Sequence, residues 1–216
     1  LHDNKHHLLL CATGSVATIK LPLIITTLLT RHTSSSLSIR ILLTPSAAQF
    51  LQSQSPEQPS LSALAAIPGV DGIYLDADEW RRPWTRGASI LHIELRRWAD
   101  LMVIAPLSAN SLAKVAGGMA EGLVASVVRA WDSTGEIDGP RELRIVVAPA
   151  MNTAMWEHPV TRKHLAVLEG EWGVANGGWI EVLRPVEKTL ACGDTGSGAM
   201  REWKQIVDVI EQRLGL

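Results

Sequence analysis

The sequence predicts a three-layer α/β/α domain on a mostly parallel sheet, and three observations carry that prediction. Short apolar runs recur along the chain, each closes on proline, threonine or a glycine-bearing turn, and helical patterns lie between them. Strands of that composition are covered on both faces, and strands joined by helices run parallel with right-handed crossovers. A chain of 216 residues can bury one sizeable core, so a single domain over 1–216 is expected.

The elements follow in order. Leu8 to Ala12 is a continuous apolar run ended by Thr13-Gly14-Ser15, and a helical stretch runs from about Val16 to Arg31. Leu37 to Thr44 is the second strand, Leu101 to Ala105 the third and Arg144 to Ala148 the fourth. Helices are expected over Ile93 to Asp100, over the alanine-rich span Ser111 to Trp131, and over Pro159 to Leu168, where proline suits the first turn. Trp203, Ile206, Val207, Val209, Ile210 and Leu214 form a helical stripe that packs a last helix on the sheet. Polar stretches at 33–36, 52–60 and 133–140 read as loops, and the glycines around Gly177 as a surface turn.

Composition narrows the function. With 20 basic and 22 acidic residues the formal charge is -2, which offers no general attraction to nucleic acid or to an anionic membrane. Cys11 lies in a buried-strand pattern and only Cys192 remains, so a disulfide framework is not expected and a reducing compartment is. The apolar stretch from Leu8 to Leu29 is broken by Thr13, Gly14, Ser15, Lys20 and Pro22, too often for a spanning helix of about 20 apolar residues. It also lacks a signal-cleavage pattern, so a cytoplasmic protein is expected. The histidines show no metal-ligand spacing, and no metal site is predicted.

Ligands of parallel α/β sheets collect at the carboxyl ends of the strands. Gly14, Ser15 and Val16 follow the first strand, where free backbone N–H groups can face an anion, although one glycine at a tight turn is ordinary. Thr44 and Ser46 follow the second strand, and Ser108, Ala109, Asn110 and Ser111 follow the third, so hydroxyls and amides gather on one rim. Each can hold part of a mononucleotide or cap the next helix, and the two roles are compatible. After the fourth strand, Asn152 interrupts the apolar segment from Ala150 to Trp156, as a helix cap or as a donor–acceptor pair for a substrate. Cys192 sits among glycines whose composition suits a mobile flap, where a thiol can reach a ligand or be a small buried side chain. His92, just ahead of a helix, is either a proton carrier or a structural hydrogen-bonding group.

Four segments, HIELRRWAD, APLSANSLAKVAGGM, APAMNTAMW and LACGDTGSGAM, resemble the phosphopantothenoylcysteine decarboxylases, within the flavin-binding cysteine decarboxylases. The resemblance runs from the CATGSVATIK turn to about Met200. It implies a Rossmann/flavodoxin-like fold, FMN at the strand ends, and a homotrimer with active sites between subunits. By motif position Gly14, Ser15, Val16, Thr44, Ser46, Ser108, Ala109, Asn110 and Ser111 would line the FMN site, with Ala150 nearby. His92 would be the catalytic base, Asn152 would hold the substrate carboxylate, and Cys192 would donate a proton. Arg97, Ala191 and Met200 would also face the substrate, although Arg96 and Arg97 can equally pair with surface acids.

The family chemistry oxidises the substrate thiol to a thioaldehyde with hydride passing to FMN, which lets the adjacent carboxylate leave as CO2; the hydride then returns. The product of phosphopantothenoylcysteine would be phosphopantetheine, on the route to coenzyme A. The sequence departs from the family pattern in the 133–140 loop, in an insertion at 169–183, and at Thr189, where a basic residue is common. Two other readings stay open, a peptidyl-cysteine decarboxylase and a non-enzymatic FMN-binding phosphatase inhibitor. Cys192 disfavours the first, and His92, Asn152 and Cys192 in one chain, with no acidic tail, disfavour the second.

Overall fold

Leu8, Leu10 and Ala12 face one side of the first strand and Leu9 and Cys11 the other, and both sets are fully buried. This alternation is the two-residue period of a strand with a helical layer on each face. The computed structural model describes residues 3–137, 139, 144–189 and 195–216, the side chains of 187–189 and 195 excepted.

The chain runs through β1 (His6–Ala12), a 3-10 turn over Val16–Lys20, α1 (Leu21–Arg31), β2 (Leu37–Leu43), α2 (Pro45–Ala48), α3 (Leu61–Ala65) and β3 (Val70–Leu75). It continues with α4 (Asp76–Glu79), α5 (Leu91–Trp98), β4 (Leu101–Leu107), α6 (Ala109–Ala116), α7 (Leu123–Arg129) and β5 (Arg144–Pro149). The last part holds α8 (Thr153–Glu157), α9 (Pro159–Glu169), β6 (Ile180–Val182), β7 (Val186–Thr189), β8 (Thr195–Ala199) and α10 (Trp203–Leu214).

Six strands form one sheet in the order β3-β2-β1-β4-β5-β6, with every pairing parallel. The direction of winding reverses between β1 and β4, the place where such sheets open a crevice at their carboxyl edge. On one face, Ile24, Ile25 and Leu28 of α1 and Ile206, Val207 and Ile210 of α10 pack on Leu10, Val103 and Val146. On the other, α5, α6, α7 and α9 contribute Leu95, Leu112, Val127 and Leu165 against Leu9, Met102 and Ile145. This is the expected three-layer α/β/α architecture.

Several local expectations differ from the structure, each for a physical reason. Strands β3 and β6 were not expected: each lies at a sheet edge with one partner, and Asp71, Gly72 and Glu181 dilute their apolar pattern. The 169–183 insertion is thus part of the sheet, and its Trp172 and Trp179 stack with centroids 5.8 Å apart. The expected helix over Ser111 to Trp131 is two helices, because Gly118 and Gly122 take φ values of +68° and +89° that end α6 and begin α7. The glycine-rich segment expected to be a flap is, over Thr195–Ala199, a strand paired antiparallel with β7. The stretch from Val16 starts as a 3-10 turn and becomes α-helical at Leu21, next to Pro22.

Candidate functional site

Strands β1 and β4 end side by side, and the buried Thr13 ties them together. Its hydroxyl donates to the Pro106 carbonyl at 3.0 Å and accepts from the Ser108 N–H at 2.7 Å. Ser108 then caps α6, its Oγ accepting from the Ser111 N–H at 3.3 Å. Thr44 caps α2 in the same way, accepting from the Ala47 N–H at 3.3 Å, and its hydroxyl lies 3.2 Å from Ser46 Oγ. The Thr44 and Ser108 hydroxyls are therefore placed by the helix starts they cap.

Thr44, Ser46, Asn110 and Ser111 come together in the wall of one cavity of about 240 Å³, with Asp76 and Lys114. Gly14 lies against Ser46 so closely that a Cβ there would overlap the serine side chain. Ser15, Val16, Ser108, Ala109 and Ala150 stand on the same strand ends without lining this cavity. Val16 is exposed, whereas Ala150 is buried and its N–H donates to the Leu107 carbonyl at 3.0 Å.

The cavity residues beyond the expected set come from segments whose signal was local and weak. Asp76 follows an edge strand that was not expected; its Oδ1 accepts from the Leu123 N–H at 2.8 Å and so starts α7. Lys114 reaches Glu121 at 2.7 Å, and this hydrogen-bonded ammonium holds the exposed Glu121 carboxyl below its ordinary range. These acids and hydroxyls bracket an open crevice below the roughly 300–1,000 Å³ of sites that enclose a drug-sized ligand. The hydroxyl-capped helix starts and the glycine beside Ser46 fit the phosphate and ribityl portion of a mononucleotide held at one edge.

His92 lies inside the first turn of α5 instead of ahead of it. Its Nδ1 is 2.8 Å from Glu79 Oε1, and its backbone N–H donates to Glu79 Oε2 at 3.2 Å. The Glu79 side chain is only 6% exposed. Sequence reading missed this acid because it is 13 positions from the histidine it serves. On the same helix, Arg97 is exposed with Nη1 3.1 Å from Glu94, while the buried Arg96 donates to the Ala130 carbonyl at 2.9 Å.

Asn152 caps α8, its Oδ1 accepting from the Ala154 N–H at 2.8 Å. Met200 is buried in the core beside α10. Ala191 and Cys192 lie outside the described residues. Among the described residues no cluster of three His, Cys, Asp or Glu could hold a metal ion, and no helix is long and apolar enough to cross a membrane.

The sequence matches the family described as Flavoprotein over residues 1–215. The chain belongs to the Flavoprotein family. Within this family it is similar to the phosphopantothenoylcysteine decarboxylase of Mus musculus, at 40% identity over 97% of this chain and 87% of the mouse protein. It is also similar to coenzyme A biosynthesis protein 3 of Saccharomyces cerevisiae, at 42% identity over 98% of this chain. The chain spans about a third of the length of the fungal relatives it matches, 30%, 34% and 37% in three cases.

Solved structures share this fold. A cysteine-to-serine variant of PPC decarboxylase, complexed with pantothenoylaminoethenethiol, superposes with a TM-score of 0.76 at 38% identity, covering 98% of this chain and 100% of that one. The FMN binding protein AtHal3 superposes with a TM-score of 0.70 at 39% identity over 96% of each chain.

Proposed function

We propose that this chain is an FMN-dependent decarboxylase that converts phosphopantothenoylcysteine to phosphopantetheine in coenzyme A biosynthesis, working as a cytoplasmic homotrimer. One observation carries the proposal. A single carboxyl edge of the sheet presents both a crevice lined by hydroxyls and a histidine bonded to a buried carboxylate. The likeness to the mouse decarboxylase over most of both chains supports the substrate, and the likeness to AtHal3 supports FMN.

When bound, FMN supplies the acceptor for a hydride from the thiol-bearing carbon of the substrate. Gly14, Ser15, Thr44, Ser46, Asn110 and Ser111 would hold it through backbone N–H groups and hydroxyls, with Val16, Ser108, Ala109 and Ala150 shaping the rim. His92 takes the proton that the substrate must lose, Asn152 orients the carboxylate, and Cys192 returns a proton to the product. Arg97, Ala191 and Met200 complete the substrate side.

The crevice is open, and large apolar side chains are exposed at Val16, Met119 and Met155 on the segments that follow β1, β4 and β5. A neighbouring subunit packed on those residues would remove them from water, which favours the homotrimer. The test is to incubate the purified, yellow chain with phosphopantothenoylcysteine and follow CO2 and phosphopantetheine by mass. Yellow protein without turnover overturns the decarboxylase and leaves the reading of a non-enzymatic FMN-binding phosphatase inhibitor. A trimer mass in solution is expected, and a monomer that turns over removes the shared-site arrangement.

A further inference from the structure

Helix α4 is four residues long and carries three acids, and each has its own partner. Asp76 accepts from the Leu123 N–H at 2.8 Å, and Asp78 accepts from the Leu75 N–H at 2.8 Å. These two bonds fasten the helix to α7 and to the end of β3, so Glu79 is presented from a fixed platform. Its carboxylate then meets His92 twice, at the ring and at the backbone N–H.

We propose that Glu79 is the positioning residue for His92, holding the imidazole in the tautomer that carries its proton on Nδ1 and leaves Nε2 bare. The inference deepens the function proposed above and rests on it for the substrate and for His92 as the base. An ionised carboxylate is an acceptor only, so the ring nitrogen facing it must be a donor. The neutral ring then has its lone pair on Nε2, which has no hydrogen-bond partner among the described residues. That atom is the one able to take a proton. Burial of Glu79 keeps water from competing for the Nδ1 proton, and the bond to the backbone N–H stops the carboxylate from turning away. A purely structural role for Glu79, closing the loop over 80–91, would need only the backbone bond.

The experiment is nitrogen NMR of histidine-labelled chain at pH 8, with the His92 signals assigned by their loss in His92→Gln. The wild-type ring should show the Nδ1–H tautomer as the dominant form, and Glu79→Ala should move the population toward Nε2–H. Turnover of phosphopantothenoylcysteine by Glu79→Ala should fall in kcat by about 10- to 100-fold, as for outer-shell partners of metal-bound histidines, with little change in KM. Glu79→Gln keeps an acceptor oxygen and should recover much of the tautomer and part of the rate. A wild-type His92 found mainly as Nε2–H overturns the proposal even if every variant fails to fold. So does Glu79→Ala with an unshifted tautomer, or with a shifted tautomer and unchanged kcat. Absence of wild-type turnover together with the expected tautomers sinks the decarboxylase reading and upholds the positioning role.

Discussion

The Met151 N–H donates to the Gly198 carbonyl oxygen at 3.0 Å, and this bond fastens β8 to the segment that begins α8. Close contact of the two backbones depends on glycine. Gly198 has φ at +122°, and a Cβ there would stand 2.5 Å from the Met151 carbonyl oxygen and 3.2 Å from Trp156 Cβ. Gly196 is similar, since a Cβ would lie 2.6 Å from Thr153 Oγ1.

Gly198→Ala should therefore destabilise the chain by about 1–3 kcal/mol through the backbone conformation alone, with the steric contact adding to it. For a chain of this size that is a fall in Tm of about 2–4 °C per kcal/mol. Calorimetry checks it, and an unchanged Tm would show that β8 does not need this approach.

Thr13→Val should cost about 1–3 kcal/mol, because the valine takes the hydroxyl acceptor from the buried Ser108 N–H, while the Pro106 carbonyl keeps its bond from the residue 13 N–H at 3.0 Å. Thr13→Ser keeps that hydroxyl and should lose much less. Urea midpoints of the two variants should differ in that order, and equal midpoints would mean that the bridge contributes nothing.

Gly14→Ala should weaken FMN binding by about 10-fold or more, a loss of roughly 1.4 kcal/mol, as the new methyl group drives Ser46 out of place. Pairing it with Ser46→Gly restores the space and should recover part of the affinity. Titration of FMN fluorescence reads both, and unchanged affinity in Gly14→Ala would remove this corner from the cofactor site.

Cys11 is fully buried in β1, and burial pushes its thiol far above the ordinary value. Below the unfolded thiol pKa of roughly 8.5, neither state ionises and the group is silent. Above it the unfolded chain releases the proton while the folded chain keeps it. Stability should then fall by up to about 1.4 kcal/mol per pH unit from this group. Denaturation at pH 8 and pH 10 should show a smaller loss in Cys11→Ala than in wild type. In the native chain at pH 8, alkylation with mass mapping should leave Cys11 untouched.

Elements with a strong period were legible from residue order. The stripe from Trp203 to Leu214 is helical over those same residues, and the apolar runs of β1, β4 and β5 are strands buried on both faces. The hydroxyls at Thr44 and Ser108 were legible as well, since a cap is a relation between neighbours three residues apart. Edge strands β3 and β6 were not, because one-sided pairing relaxes the demand for apolar residues on which the pattern rests.

From its residue order alone the chain dictates a parallel α/β sheet and the rim on which polar groups gather, since both follow from local spacing and burial. Only folding in three dimensions decides that Gly14 meets Ser46, that β8 lies against Met151, and that Glu79 holds His92. Those pairings form when separate loops close over the same edge, and the contact between two loop ends leaves no period in the sequence to read.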